Sequence, residues 1–326
     1  MDINVTRHSP LIKVLADQAQ NKSVETDKVE EANEIISELL KEPNKNNLEV
    51  IANTVAYTIT DLQQHELDFM NQIADQKTIG WNEEAAFKVK NNNGLRAVFQ
   101  ARGATTPRSY VGEKQITVNT EELSIRPAIN IMDLRTGRVN MSDLIREANR
   151  EMTLKKIERV EQVLHDSIGG GKYQTPFYGS GTGINKQVLD SQIQYFRGMA
   201  PVTLLGDIAA VGLLANVPGM QMSNNMLDEY NNNGFLGRYI GCSVITLQNA
   251  YRDGETKPIL ADNWIYIIPA GMSADSKNLK IVNQGGVEAF DATDINSKTY
   301  EMRLDQNFGV AFVTAHNPTM GAYCIN

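Results

Sequence analysis

The sequence predicts an α+β fold, and three patterns of apolar residues support this prediction. Two helical patterns fill the N-terminal quarter, a much longer one covers residues 140–168, and short apolar strands dominate the chain after residue 200. With 41% hydrophobic and 21% charged residues, the composition is typical of a folded protein. A length of 326 residues is enough for two or three hydrophobic cores.

The N-terminal quarter carries two amphipathic patterns. The first begins at Thr26, whose hydroxyl can cap a helix, and ends before Pro43. The second begins near Leu48 and continues towards Ile73. Their apolar faces comprise Val29, Ala32, Ile36 and Leu39 or Leu40 in the first helix, and Leu48, Ile51, Val55, Ile59 and Leu62 in the second. Residues 1–76 hold 14 acidic and 6 basic side chains, a balance of −8, so a solvated helical pair is one interpretation.

A polar excursion of opposite charge follows these helices. Short apolar alternation flanks Asn91 to Gly94 in "FKVKNNNGLRAVFQARG", and these four residues are typical of a turn. The next stretch, "QARGATTPRSYVGEKQ", has few side chains able to form a core. Residues 86–138 contain 9 basic and 4 acidic side chains, a balance of +5.

A strand and a long helix come next. Apolar side chains at odd positions from Leu123 to Ile131 predict a strand with one buried face, and Pro127 favours an edge or a bulge. The helix over 140–168 can be capped by Asn140 or Ser142 and ends at three glycines. Its apolar stripe consists of Leu144, Ala148, Met152, Ile157, Val160, Leu164 and Ile168. About 27 residues at about 1.5 Å each give a rod of about 40 Å, which needs a long surface to pack against.

The remainder of the chain alternates helices and strands. The helices are predicted at "KQVLDSQIQYFRGM", at "DIAAVGLLANVPG" with Asp207 as its cap, and at "MSNNMLDEYNN". The strands are predicted at "PVTLLG", "CSVITL", "NWIYIIP", "LKIVN", "TYEMRLDQNFGVAFV" and "GAYCI". This half is therefore expected to be an α+β unit built around a sheet.

Few residues point to catalysis. The two cysteines and four histidines have no metal-ligand spacing, and no nucleophile elbow or zincin motif occurs. His65 and His165 lie in helical patterns, where a packing or surface role is expected. "YGSGTGINKQ" places Gly179, Gly181 and Gly183 before a helix, like a phosphate-binding loop, but its spacing fits neither dinucleotide nor P-loop motifs, so a hinge loop is the alternative. We predict no catalytic residue, cofactor or metal ligand.

Composition also limits the partners. A net charge of −8 disfavours tight binding to a phosphate backbone. The N-terminus lacks the basic and apolar regions of a secretory signal, and no apolar run approaches the about 20 residues needed to cross a bilayer. We therefore expect a soluble protein without a membrane partner, and two cysteines suit a reducing compartment.

The order of segments resembles the major capsid protein of tailed phages, with the Hong Kong 97-type (HK97-like) capsid fold that encapsulins also use. A helical N-terminal region leads to a polar hairpin excursion, a returning strand, a long helix ending in glycine, and a second α+β part. "GRYIG" before the strand "CSVITL", and the closing stretch "YEMRLDQNFGVAFVTAHNPTMGAYCI", resemble patterns of this family. The N-terminal 76 residues are longer and more helical than a simple arm. They are therefore interpreted as an arm, as an internal scaffold-like extension, or as both.

The resemblance implies a domain map. Residues 1–80 would be an N-terminal helical arm and residues 81–120 an extended loop (E-loop) hairpin lying across a neighbour. Residues 121–184 and 299–326 would form a peripheral domain, with residues 140–168 as its spine helix. An axial domain would cover 185–298.

The resemblance also implies a structural function without an enzymatic one. The protein would assemble with itself, through pentamers and hexamers, into an icosahedral shell that encloses double-stranded DNA without tight sequence-specific binding. Portal, scaffold and decoration proteins would be further partners, and the protein would lie in the virion after assembly in the host cytoplasm. An encapsulin-like cargo compartment is the nearest alternative, and a soluble α+β enzyme using the loop at Gly179 to Gly183 is a distant one.

The opposite charges of the loop and the N-terminal region suggest inter-subunit contacts. If the loop of one subunit meets the N-terminal region of its neighbour, their opposite charges attract each other. This attraction is expected to guide the encounter and the alignment of the two subunits more than to add stability. The loop cations expected to make these contacts are Lys88, Lys90, Arg96, Arg102 and Arg108.

Overall fold

The structure is a computed structural model, and most of the chain is described. The described residues are 10–20, 22, 25–41, 45–66, 73–90, 97–99, 108, 113–130, 132–133, 136, 141–169, 172–247, 249, 251, 256–294, 299–314 and 318–326. Two sheets and the helices that cover them account for most of these residues.

The helices follow the predicted patterns except for the first one, Pro10–Ala19, which was not predicted. They are α1 (Pro10–Ala19), α2 (Thr26–Lys41), α3 (Lys45–Glu66), α4 (Met141–Leu164), α5 (Lys186–Arg197), α6 (Ile208–Gly212) and α7 (Asn224–Asn233). A π-helical turn, His165–Gly169, extends α4, and short 3-10 turns cover Leu213–Asn216 and Ala274–Ser276. Asp207 caps α6 as predicted, because its Oδ1 accepts a hydrogen bond from the Ala209 N–H at 2.7 Å.

The strands form two large sheets and one hairpin. They are β1 (Ala74–Ile79), β2 (Ala86–Lys90), β3 (Glu113–Thr117), β4 (Glu121–Ile125), β5 (Ala128–Asn130), β6 (Tyr178–Gly181), β7 (Val202–Asp207), β8 (Arg238–Tyr239), β9 (Cys242–Leu247), β10 (Trp264–Pro269), β11 (Leu279–Asp294), β12 (Thr299–Phe312) and β13 (Gly321–Ile325). The five-stranded sheet has the order β1-β11-β12-β4, with β5 also paired to β12. The six-stranded sheet has the order β6-β13-β10-β7-β9-β8, and β2 pairs with β3.

The central strand of the six-stranded sheet is buried on both faces. Trp264, Tyr266 and Ile268 pack into a core that also contains residues of α4, whereas Ile265 and Ile267 pack beneath α5 and α6. Because successive side chains of a strand point to opposite faces, helices on both sides explain why β10 is apolar without alternation.

The N-terminal helices are part of the core. Apolar residues of α1, α2 and α3 pack with the first half of α4 and with β12. The Tyr300 hydroxyl donates to the Leu48 carbonyl at 2.8 Å, and the Val287 N–H donates to Thr60 Oγ1 at 3.0 Å. The interpretation as a solvated helical pair is therefore wrong.

Helix α4 connects the two largest cores. Its first half, with Ile145 and Met152, packs on the N-terminal helices, and its second half, with Val160 and Leu164, packs where the two sheets approach each other. Lys156 lies between these halves, and its side chain is 1% exposed. The predicted apolar stripe named Ile157, but Lys156 takes the fully buried position.

Lys156 joins three elements through hydrogen bonds. Its Nζ donates to Gln63 Oε1 on α3 at 2.7 Å and to Gln306 Oε1 on β12 at 2.6 Å. The same Nζ lies 5.3 Å from the centre of the Phe308 ring. These contacts satisfy a charged group whose transfer out of water would otherwise be costly.

Three local expectations differ from the structure. The partner of β2 is β3, which follows after 22 intervening residues, and Ala97 to Phe99 form no strand. The predicted turn at Asn91 to Gly94 lies outside the described residues. The helical pattern towards Ile73 gives way to β1, which pairs in parallel with β11. Strand β11 continues past "LKIVN" because an irregularity between Gln284 and Glu288 lets it keep pairing with β12.

Candidate assembly interface

The base of the β2–β3 hairpin is packed firmly against the five-stranded sheet. Phe87 on β2 is fully buried and packs with Val118 and Val282. Lys77 Nζ lies 4.7 Å and Lys280 Nζ 5.5 Å from the centre of its ring. Cations near an aromatic face are attracted to it. These contacts therefore hold the first strand of the hairpin in place against the sheet.

A buried ion pair lies beside this base. Asp75 on β1 and Lys280 on β11 are register partners, and Lys280 Nζ lies 2.8 Å from Asp75 Oδ2. The Lys280 side chain is fully buried and also donates to the Ala274 carbonyl at 2.9 Å. Lys277 Nζ donates to the Ala74 carbonyl at 3.1 Å, and burial lowers the pKa of the Lys277 ammonium. Buried charges of this kind depend on their partners.

The predicted loop cations are only partly described. Lys88 is exposed on β2, and Arg108 is exposed in the loop. Lys90 ends β2, but its side chain lies outside the described part, and Arg96 and Arg102 lie outside the described residues. Their role in inter-subunit contacts stays a prediction.

The loop also carries two exposed apolar side chains. Val98 is 50% exposed, and Phe99 has the accessibility of a residue with no neighbours, at 107%. Single exposed apolar residues are common on protein surfaces. Two adjacent ones on a hairpin that leaves the sheet form a surface that another molecule can bury.

A groove of about 520 Å³ opens between α3 and β11. Its walls include Tyr57, Val287 and Glu288, and two partly exposed aromatic residues, Trp81 and Phe290, stand at 42% and 57% exposure. The groove therefore presents aromatic side chains and one carboxylate to solvent.

The position of Trp81 is fixed by the irregularity in β11. Gly285 has a φ of +72°, and a Cβ at this residue would lie 2.2 Å from the Trp81 indole. The Gln284 side chain donates to the Trp81 carbonyl at 3.0 Å. Glycine is required here both by backbone conformation and by contact.

The unit around the six-stranded sheet exposes several large apolar side chains. They are Ile208 on α6, Leu213 in the following 3-10 turn, Leu227 on α7 and Ile240, all 40–51% exposed. Ile240 and Gly241 both have positive φ, +48° and +75°, and form the two-residue turn between β8 and β9. The "GRYIG" pattern therefore encodes a tight hairpin that presents Ile240 to solvent.

The glycine-rich loop is filled by the chain itself. The Tyr323 hydroxyl accepts from the Asn185 N–H at 2.7 Å and donates to the Gly183 carbonyl at 2.9 Å. Asn185 Oδ1 accepts from the first N–H groups of α5. A Cβ at Gly181 would lie 2.7 Å from the Tyr323 hydroxyl. The Asn185 N–H and the first N–H groups of α5, which a phosphate at this loop would use, are engaged within the chain, which supports a packing role for the loop.

The described residues offer neither a membrane-spanning helix nor a metal site. Within the described ranges, no helix is long and apolar enough to cross a bilayer, and no cluster of His, Cys, Asp or Glu could hold a metal ion. Cys242 and Cys324 are both buried free thiols. His165 packs as expected for a helical histidine, with its ring stacked on Trp264 at a centroid distance of 3.7 Å.

Sequence reasoning missed the buried charged residues. Lys156, Lys280 and Asp75 are buried, and no sequence pattern singled them out. One signal was available for Lys156, because Met152, Lys156, Val160 and Leu164 follow each other at four-residue steps on one helix face.

Comparison with known proteins gives one family and several similar structures. The family model described as "SPbeta prophage-derived putative capsid protein YonB" matches residues 3–324. A structure from Microbacterium phage Oxtober96 has 11% identity and a TM-score of 0.50, covering 77% of this chain and 89% of that chain. This likeness concerns the fold alone. No curated protein matches the chain.

Two further phage structures are similar at slightly lower scores. The head structure of Helicobacter pylori bacteriophage KHP40 has 8% identity and a TM-score of 0.49, covering 78% of this chain and 88% of that chain. The mature capsid of bacteriophage PhiM1 has 11% identity and a TM-score of 0.48, covering 77% and 85%.

Proposed function

The chain belongs to the family of the SPbeta prophage-derived capsid protein YonB and is a phage major capsid protein with an HK97-like α+β fold, and we propose that it tiles an icosahedral shell through pentamers and hexamers. The shell encloses double-stranded DNA, and the net charge of −8 keeps its wall from binding the phosphate backbone tightly. The observation that carries this proposal is the β2–β3 hairpin, which has a buried base and a fully exposed apolar residue, Phe99.

The predicted domain map is retained with one refinement. Residues 1–80 form the N-terminal part, 81–120 the extended loop, 121–184 and 299–326 the peripheral domain, and 185–298 the axial domain. Strand β11 lies within 185–298 but pairs with β12 and β1 in the five-stranded sheet. We therefore assign β11 to the peripheral domain, and strands β7 to β10 of the six-stranded sheet lie in the axial domain.

The exposed loop residues fit the groove of a neighbouring subunit. Val98 and Phe99 supply apolar surface, and Trp81 and Phe290 supply partly exposed aromatic walls. Lys88 and Arg108 give the loop positive charge, whereas Glu288 lines the groove. Charge and apolar surface are thus complementary between the two surfaces.

We expect that Phe99→Ser lowers the assembly of shells at least tenfold. Burying a phenylalanine contributes about 1.5–3 kcal/mol per contact, and each tenfold change in affinity corresponds to about 1.4 kcal/mol. Sedimentation velocity with negative-stain imaging measures the assembled fraction. Tyr251→Ser, which removes another exposed aromatic side chain, serves as the matched control.

The groove gives this test a second arm. Phe290→Ser should reproduce the defect, and the double variant should be no worse than either single one, because both remove the same contact. Assembly of the Phe99→Ser variant at the wild-type level would contradict the loop contact. A wild-type chain that stays near its monomer mass of 36.2 kDa, even with a scaffold protein present, would contradict shell formation itself.

A separate prediction concerns the loop charges. The double variant Lys88→Glu and Arg108→Glu should slow assembly about tenfold at low salt, because steering by opposite charges falls when the loop becomes acidic. The difference should shrink as salt rises, since a Debye length of about 10 Å at 0.1 M shortens further. Light scattering over a salt series measures the rate.

The control for this experiment reverses two exposed cations outside the hairpin, Lys172 and Lys257. It changes the net charge by the same amount. Equal slowing in both double variants would assign the effect to net charge and count against a specific loop contact.

The remaining partners and alternatives follow from the same proposal. Portal, scaffold and decoration proteins are expected partners, assembly takes place in the host cytoplasm, and the finished protein lies in the virion. An encapsulin-like compartment is less well supported, because the matching family model is that of a prophage capsid protein. The role is structural, and the packed glycine loop supports no phosphate chemistry at Gly179 to Gly183. DNA inside purified particles would separate a capsid from a cargo compartment.

A further inference from the structure

A carboxyl group lies in an apolar junction between α4 and the six-stranded sheet. Glu161 Oε1 accepts a hydrogen bond from the Ala261 N–H at 2.8 Å. The surrounding side chains are apolar except for the Tyr266 hydroxyl; they are Ile73, Ile157, Val160, Leu164, Leu205, Leu247, Leu260, Tyr266 and Ile268. A carboxylate in such surroundings loses hydration that one hydrogen bond replaces only partly.

Two further polar atoms at this junction are buried without partners. Among the described residues, neither the Tyr266 hydroxyl nor His165 Nε2 has a hydrogen-bond partner. His165 follows Glu161 by one helical turn, and its ring stacks on Trp264 at 3.7 Å. A Cβ at Gly169 would lie 2.4 Å from the same indole, so the end of α4 is in close contact with β10.

The charged groups that act on Glu161 are carboxyls, which do not stabilise its ionised form. Burial raises the pKa of Glu161 to about 7, the Ala261 N–H opposes this effect, and the carboxyls of Glu158 and Asp207 raise the pKa further. Tyr266 on β10 faces the same pocket, and burial raises its pKa well above the ordinary value.

Two other groups titrate near this junction. Burial lowers the pKa of His165, and the carboxyl of Asp166 opposes this shift. The buried thiol of Cys324 on β13 has a raised pKa, chiefly because of burial.

We propose that the contact between Glu161 and Ala261 makes the junction between α4 and the six-stranded sheet sensitive to protonation. The neutral carboxyl accepts the Ala261 N–H and carries no charge into the apolar pocket. The ionised carboxylate is stable only when hydrated, so loss of the proton favours an open junction in which the segment 256–262 separates from α4.

Hydrogen bonds to another part of the chain hold segment 256–262 as well, so the opening is confined to its contact with α4. Asn249 holds Leu260 through two hydrogen bonds of 2.9 Å, one to its N–H and one to its carbonyl. The residue after Leu260 is Ala261, whose N–H donates to Glu161 on α4. Under the proposed domain assignment, this opening would loosen the connection between the peripheral and axial domains of a shell subunit.

The direction of the pH effect follows from the raised pKa. The neutral form of Glu161 stabilises the closed junction fully below the ordinary pKa of 4.5, and this contribution is lost as pH rises towards about 7. His165 acts in the opposite direction, because a lowered pKa costs stability as pH falls below 6.5. A comparison at equal pH between the wild type and a Glu161 variant cancels the contribution of His165.

Hydrogen exchange of the free subunit tests the proposal. Peptides covering residues 256–264 are measured at pH 5.5 and 7.5, with intrinsic exchange rates subtracted, in the wild type, in Glu161→Gln and in Glu147→Gln, an exposed control on the same helix. Relative to Glu161→Gln, the wild type should lose about tenfold more protection between the two pH values. Glu147→Gln should behave like the wild type.

An identical pH response in the wild type and Glu161→Gln would overturn the proposal. If Glu161→Gln does not fold, Glu161→Leu takes its place, since it also removes the titrating group. Because the experiment uses unassembled subunits, its outcome does not depend on whether the chain forms shells.

Discussion

Asp75→Ala is expected to lower the free energy of unfolding by about 3 kcal/mol or more. The substitution leaves the ammonium of Lys280, which is fully buried, without its carboxylate partner at 2.8 Å. Removing one member of a buried ion pair typically costs about 3–5 kcal/mol, because the other charge remains out of water.

Chemical denaturation measures this cost, and a double variant separates its causes. Asp75→Leu combined with Lys280→Met removes both charges and keeps similar volumes, so it should be less destabilised than either single charge deletion. Asp61→Ala, which removes an exposed carboxylate from α3, should change stability by less than about 0.5 kcal/mol. A double variant as unstable as the sum of its parts would show that the pair itself is not the source.

The same variant has a consequence for the loop. Lys280 lies near the Phe87 ring, and Asp75 belongs to β1, the strand that precedes the hairpin. Loss of the ion pair should therefore loosen the base from which the loop extends. Faster hydrogen exchange of β2 than of β9 in Asp75→Ala would locate this loosening.

Periodicity predicted the elements whose partners are interchangeable apolar surfaces. Helix α3 buries Ile51, Val55 and Ile59 on one face, as the three- and four-residue spacing predicts. The apolar run of β10 predicted a strand, and its burial on both faces explains why this strand has no polar side. These patterns are local, so the sequence alone is sufficient to find them.

Pairing over long distances left no such local pattern. β1 pairs with β11, some 200 residues away, and β2 pairs with β3 across a loop. The partners of Lys156 lie 93 and 150 residues from it. A buried lysine looks like a surface lysine until the groups that satisfy it are known.

The residues of the candidate interface could be predicted only in part from the sequence. Lys88 and Arg108 are exposed as expected of contact residues, but charge alone gave no reason to single out Phe99. The groove that fits it requires α3, β11 and Trp81 to come together, and these elements are far apart in the sequence.

Lys156→Ala is the second substitution expected to have a large effect, with a loss of about 3 kcal/mol in the free energy of unfolding. It removes the donor to Gln63 Oε1 and Gln306 Oε1, and each buried acceptor left unsatisfied costs about 1–3 kcal/mol. It also leaves a cavity beside α4, which lowers the free energy of unfolding further. Denaturant unfolding measures the loss.

The neighbouring residue, a lysine on the exposed side of the same helix, provides a control. Lys155 is exposed and pairs with Glu158 at 3.0 Å, so Lys155→Ala should cost less than about 0.5 kcal/mol. Because Gln63 belongs to α3, Lys156→Ala should also speed hydrogen exchange in α3 more than in α5, which packs in a different core. Equal losses in the two lysine variants would mean that α3 is held to the long helix by apolar packing alone. A larger loss in Lys156→Ala, with exchange increased in α3, would make this lysine the polar connection between the N-terminal helices and the rest of the subunit.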